Sequence, residues 1–230
     1  KAPFFKDIVF YEKEFDGVMP LEIVVDTKRP KGALKSVTLK RIEELQETII
    51  EIPELSKPVS VVNLVKYSKQ AYYNGNPEFY ELPTKQEEAF ILSYIKNSTQ
   101  KGNENMLKSY VDSTGQYARI TTFMRDIGTD KMKKIEERLQ DKINHIFPKE
   151  RYEVSLTGKA YVFEKGTHYL IDNLVQSLLF AIVLISLLMA YMFRSFKMIL
   201  VSLLPNILPL VMTAGLMGYL GIPIKPSTIL

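Results

Sequence analysis

The 230-residue sequence predicts an α+β domain on an antiparallel sheet, with an inserted pair of helices, followed by two transmembrane α-helices. Three observations carry that expectation. Charged residues are dense up to residue 168, after which only Asp172, Arg194, Lys197 and Lys225 remain. Within that last stretch, residues 174–193 and 198–224 form uncharged runs of 20 and 27 residues, and about 20 helical residues cross a hydrocarbon core roughly 30 Å thick. Before it, segments with the two-residue period of a strand alternate with segments of helical period, punctuated by glycine and proline.

The first strand is expected over residues 17–27, GVMPLEIVVDT, where Leu21, Ile23 and Val25 share one face and Glu22 and Asp26 the other. Carboxylates on one strand face are able to bind a metal or move protons. With no histidine or third carboxylate nearby in sequence, a solvated face is the favoured reading. After a turn at residues 30–32, a helix over 36–51 carries Ile42, Leu45, Ile49 and Ile52 as its stripe, and Pro53 ends it.

Helices over 60–73 and 84–97 follow, joined by NGNPEFYELP, whose glycine and prolines mark a loop. Tyr72, Tyr73, Phe79 and Tyr80 gather at these helix ends. They read either as substrate contacts at the entrance for an apolar ligand or, more simply, as aromatics packing an inserted hairpin onto its domain. Strands are then expected over 106–112 and 117–126, joined by the hairpin turn STGQ. Thr129 or Asp130 caps a helix whose Met132, Ile135, Leu139, Ile143 and Ile146 form one stripe, Pro148 closes it, and a last strand covers 152–157. The order, β-α, helical pair, β-β-α-β, is the split βαβ, ferredoxin-like (βαββαβ) arrangement. Its domain is expected over residues 17–160, with the helical insertion at 60–97.

The apolar third reads as membrane-spanning. A buried hairpin in a soluble domain would keep a polar stripe, which Gln176, Ser177 and Ser186 do not make. The expected layout is a connector at 1–16 after a preceding membrane helix and a linker with the first transmembrane helix at 161–193. A turn at 194–197, a second helix at 198–222 and the start of another at 223–230 follow. Pro205 and Pro209 are tolerated in a membrane helix and predict a kink. Asn206 between them reads as a substrate contact or, more simply, as a hydrogen bond to the adjacent helix. Gly215, Gly218 and Gly221 are spaced to let another helix approach. Arg194 and Lys197 on the short connector outweigh Lys225 and place that turn in the cytoplasm, so the α+β domain lies outside it.

Composition removes several classes of function. The formal charge of +4 divides into +2 on each side of residue 168, which is no footprint for nucleic acid. The chain has no cysteine, hence no disulfide, thiolate nucleophile or cysteine metal site. Its two histidines stand apart: His145 reads as a helix-end residue and His168 as an interfacial one, and neither makes a metal site. No phosphate-binding glycine motif or nucleophile elbow is present. No acid, base and nucleophile converge, so neither an enzyme nor a cofactor is expected.

Four stretches carry a resemblance: DGVMPLEI at 16–23, SLTGKAYVFEKG at 155–166, FRSFKMILVSLLPNILPL at 193–210 and GIPIKPSTIL at 221–230. Together with the order of elements they make the sequence similar to the porter domain and following helices of resistance-nodulation-division (RND) transporters, particularly the MMPL and Patched-like branch. The resemblance implies a proton-driven exporter in the bacterial inner membrane, multi-pass, with the soluble domain extracytoplasmic. It implies hydrophobic or amphipathic substrates such as lipids or drugs, contact with membrane lipids, and a homo-oligomer or an accessory periplasmic partner. Coupling between porter domain and helices is expected through residues 161–173, which include Gly166 and Asp172. The family's proton-relay carboxylates lie on a helix that none of these residues supplies. A SecDF-like protein-translocation motor and a membrane-anchored sensing module share the architecture and stand as alternatives.

Overall fold

Alternation along MPLEIVVD puts Leu21, Ile23 and Val25 on one face, each fully buried, and makes Met19–Asp26 the central strand, β1. The computed structural model of the chain describes residues 6, 7, 10, 12, 14, 17–100, 106–125, 127, 129–193 and 196–221. It divides into two units, Lys1–Val162 and Phe163–Leu230.

In the first unit β1 pairs antiparallel with β2 (Tyr117–Met124) on one side and β3 (Glu153–Thr157) on the other. The register sets Ile23 opposite both Ile120 and Leu156, so apolar side chains line one face of all three strands. That face is covered by α1 (Ser36–Ile50) and by α4 (Thr129–Ile146). Leu39, Ile42, Leu45 and Ile49 from α1 and Met132, Ile135, Leu139 and Ile143 from α4 are all buried in the same core. Full burial of each such side chain stabilises by about 1.5–3 kcal/mol. The insertion is α2 (Val61–Tyr72) and α3 (Glu88–Gln100), with the 3-10 turn Pro77–Phe79 between them. Ser60 caps α2: its hydroxyl accepts from Val62 N–H at 3.1 Å while Asn63 Oδ1 accepts from Ser60 N–H at 2.9 Å. The expected caps Thr129 and Asp130 have side chains outside the described set.

The sheet corrects the expected hairpin. Residues 106–112 are not a strand. Leu107–Ser109 is a 3-10 turn, and a single bridge joins Val111 to Ala118. Asp112 instead braces the turn that follows it: its carboxylate accepts from Tyr117 N–H at 2.8 Å, from Thr114 N–H at 3.0 Å and from the Thr114 hydroxyl. Burial would raise the Asp112 pKa, but the Thr114 hydroxyl and the two amides outweigh it and hold the group below its ordinary value. Farther along, the outer edge of β2 is occupied by the connection from α1 to α2. Ser56 N–H donates to Phe123 O and Val59 N–H to Thr121 O, 2.8 Å each, and buried Thr122 donates to Ser56 O at 2.7 Å. The described residues thus give a mixed α/β unit with a three-stranded antiparallel sheet.

His145 stands in the last turn of α4, and Arg41 reaches the same end. Its guanidinium donates to the carbonyl of Ile146 and lies 5.3 Å from the centre of the Tyr152 ring.

The second unit holds α5 (Lys159–Phe193, which begins in the first unit) and α6 (Phe196–Tyr219). At 1.5 Å per residue the 35 residues of α5 span about 52 Å, more than a hydrocarbon core needs. None of its most apolar window is buried, and Phe180 and Tyr191 are 69% and 87% exposed. Among the described residues α5 is the one helix long and apolar enough to cross a membrane, while the apolar stretch of α6 is the shorter Leu203–Tyr219. Residues 161–173, expected as a linker, are helical and continuous with the apolar run. α6 continues through Pro205 and Pro209. Neither proline donates a backbone bond, so the carbonyls one turn earlier are released. Thr213 donates its hydroxyl to Pro209 O, one turn back, at 2.8 Å. A Cβ at Gly215 or Gly218 would meet nothing within 4 Å, so no described element makes the close approach their spacing predicts.

Candidate functional site

The insertion is held together by a lysine where its helix pattern calls for an apolar residue. Val61, Val65 and Lys69 recur every four residues on α2, and all three are buried. A buried ammonium is stable only when paired. Lys69 Nζ donates to Glu81 Oε1 and to Glu87 Oε2, 2.9 Å each. Glu87 in turn accepts from the Tyr73 hydroxyl on Oε1 and from the Thr84 N–H and hydroxyl on Oε2, all at 2.9 Å. Thr84 and Glu87 therefore form one half of a capping box ahead of α3. Burial would lower the Lys69 pKa, but the bonds to Glu87 and Glu81 outweigh it, and the pKa is raised. The bond from Lys69, followed by the Thr84 amide, holds Glu87 at about 2, against an ordinary 4.5. The bond to Glu87 raises Tyr73.

These shifts give a pH prediction. Glu87 binds its proton more weakly folded than unfolded, so its contribution is present above about pH 4.5 and lost as pH falls toward 2. Solvent at the rim of the cluster screens the interaction, so the expected loss is about 1–2 kcal/mol, less than the whole shift would give. Urea unfolding followed between pH 5 and 2.5 checks it. Glu87→Gln is expected to flatten the slope, and an unchanged slope would refute the assignment.

Three of the four aromatics singled out from the sequence are in ring contact, Tyr72 meeting Tyr73 edge-on at 5.3 Å between centroids. Tyr73 stacks on Phe79 at 4.1 Å between centroids, which pins the 3-10 turn to α2. Tyr80 stands apart, with Lys66 Nζ 5.7 Å from its ring centre. Tyr72 turns outward to two residues the sequence reading missed, Phe90 at 5.4 Å and Tyr94 at 5.7 Å. Tyr72, Phe90 and Tyr94 are 45%, 39% and 37% exposed, and together they form an aromatic face. Phe90 and Tyr94 were legible as an i, i+4 pair, but their meeting with Tyr72 depends on how α2 packs on α3.

In the coupling segment Gly166 is exposed, and a Cβ there would meet nothing within 4 Å, so packing does not require glycine. Asp172 is exposed. Ala160, Glu164 and Thr167 are buried on one side of the same helix, a stripe the sequence reading did not single out. Of the topology residues, Lys197 is exposed and Arg194 lies outside the described residues, as does the Asn206 side chain. Among the described residues no group of three or more metal-ligating side chains converges.

The sequence model of the MMPL family matches residues 65–223, from the middle of α2 to just beyond α6. No curated protein matches the chain.

Proposed function

The chain belongs to the MMPL family of RND-type membrane transporters, and from that membership we propose that it works as the porter segment of a proton-driven exporter of hydrophobic or amphipathic molecules such as lipids or drugs. In this reading the first unit is an extracytoplasmic, ferredoxin-like porter domain whose fourth strand position is taken over by the 55–59 connection. α5 and α6 are two crossings of a bacterial inner membrane, with Arg194 and Lys197 on the cytoplasmic side. The exposed face of Tyr72, Phe90 and Tyr94 is where the apolar part of a substrate rests. Protons enter through groups on other helices, and alternating arrangements of the porter domain move the substrate.

The observation that carries the reading is the continuity of α5. One unbroken helix begins two residues after β3 and runs through the whole first apolar stretch. A continuous helix transmits displacement along its axis, whereas a flexible linker would dissipate it. The test is a double break, Gly166→Pro with Leu170→Pro, in the transporter reconstituted into proteoliposomes. Each proline removes a helical hydrogen bond and costs about 3 kcal/mol of helix stability. Export of a fluorescent lipid under a pH gradient is expected to fall to background while protease resistance of the porter domain persists. Undiminished export would sink rigid coupling. Orientation is checked separately by a cysteine at Lys108, which should react with an impermeant thiol reagent from the periplasmic side in intact spheroplasts.

A further inference from the structure

We propose that the outer edge of β3 and the cavity beside it bind an extended segment of a partner protein, added to the sheet as a further strand, with an apolar side chain in the cavity and a carboxylate next to it. Among the described residues the sheet ends at β3: the strand order is β2-β1-β3, and no isolated bridge reaches residues 153–157. An edge strand presents a row of backbone donors and acceptors, which native chains usually blunt with lysine, proline or a bulge. Glu153–Thr157, EVSLT, has neither lysine nor proline, and its register against β1 runs without a break. The edge is therefore fit to template another strand.

The cavity supplies the selectivity that a backbone edge alone lacks. It measures about 250 Å³ and lies between β3 and the last turns of α4. Ile143 and Phe147 of α4, 3% and 2% exposed, form its floor, and Val154 of β3 its wall. Val154 is half-buried although its partner across the ladder, Val25, is fully buried, so the core face stays open along this edge. Drug-sized ligands take about 300–1,000 Å³. The smaller space here suits one side chain of a strand, whose alternate residues point the same way. At the mouth, Lys28 Nζ donates to Lys149 O at 3.1 Å and ties the loop after β1 to the loop before β3. Both lysines line the cavity against a single carboxylate, Glu153, so a carboxylate on the ligand is favoured. Antiparallel addition brings the C-terminal end of the segment to these lysines, because β3 begins there. All of these residues belong to the first unit, and the site stands whether or not the chain exports lipids.

The test uses the whole chain in phosphatidylcholine nanodiscs and a short fluorescein-labelled peptide, in which valine and threonine alternate before a C-terminal leucine with a free carboxylate. A saturable rise in anisotropy is expected, with slowed amide exchange over residues 153–157 read by mass spectrometry. Asn144 is exposed and borders the cavity, so Asn144→Trp fills the space without entering the core. That variant should weaken binding at least about tenfold, while Lys134→Glu, elsewhere on α4, should leave it unchanged. Amidating the peptide's C-terminus should weaken binding about threefold in the native chain and not in Lys149→Glu. Absence of saturable binding overturns the site, as does binding that leaves exchange at 153–157 unchanged or survives Asn144→Trp. Slowed exchange there without peptide, once two chains share a disc, would assign the edge to a second copy of the chain and overturn the proposal.

Discussion

Replacing Lys69 with methionine is expected to remove roughly 3 kcal/mol of stability from the first unit, although methionine fills much the same volume. Breaking a buried pair by deleting one partner leaves an uncompensated charge, which costs about 3–5 kcal/mol. The lower figure applies because Glu87 would keep its bonds from Thr84 and Tyr73, and because Glu81 is 63% exposed and able to turn to water. The urea midpoint, read by protease susceptibility of α2 and α3, measures the loss. Pairing Lys69→Met with Glu87→Gln should recover most of it, since removing both charges removes the penalty. A single mutant within 1 kcal/mol of the native chain would mean that the lysine is not held as described.

The second large effect concerns a glycine where β3 ends and α5 begins. Gly158 has φ of +97°, a conformation L side chains rarely adopt, and a Cβ there would lie 2.6 Å from Pro20 O and 2.9 Å from Glu22 N. Both atoms belong to the backbone of β1, which cannot give way without disturbing both neighbouring strands. Gly158→Ala therefore adds backbone strain of about 1–3 kcal/mol to a forced separation at the centre of the sheet, and a loss of at least about 3 kcal/mol is expected. Gly166→Ala, eight residues on, is the internal comparison. Nothing lies within 4 Å of its Cβ, and alanine in a helix is favoured over glycine by about 0.5–1 kcal/mol, so that variant should be slightly stabilised. Equal unfolding midpoints for the two alanine variants would contradict the close approach at β1.

The aromatic face shows where inference from sequence stops. Tyr72, Tyr73, Phe79 and Tyr80 were conspicuous because they are close along the chain. Packing then gave them different surroundings: Tyr73 and Phe79 brace a turn, Tyr80 sits by Lys66, and Tyr72, edge-on to Tyr73, reaches the exposed face with Phe90 and Tyr94. Lys69 was legible too, as a charge on an apolar stripe, and Thr84 and Glu87 have the spacing of a capping box. Their convergence on one carboxylate was not, because it depends on the path of the loop between the helices.

The sequence by itself determined the elements that arise from local periodicity: the alternation of β1, the stripes of α1 and α4, and the long uncharged run that makes α5 able to cross a membrane. It also carried enough of the family's pattern to be matched over residues 65–223. Tertiary structure alone decided which edge pairs with which. At the expected strand 106–112 only one bridge, Val111 to Ala118, forms, and residues 55–59 occupy the outer edge of β2 farther along. Tertiary structure also decided that residues 161–173 continue α5. Periodicity depends on neighbours three or four residues away. Edge pairing and burial depend on partners tens of residues distant, and on which of several competing donors arrives first at a given acceptor.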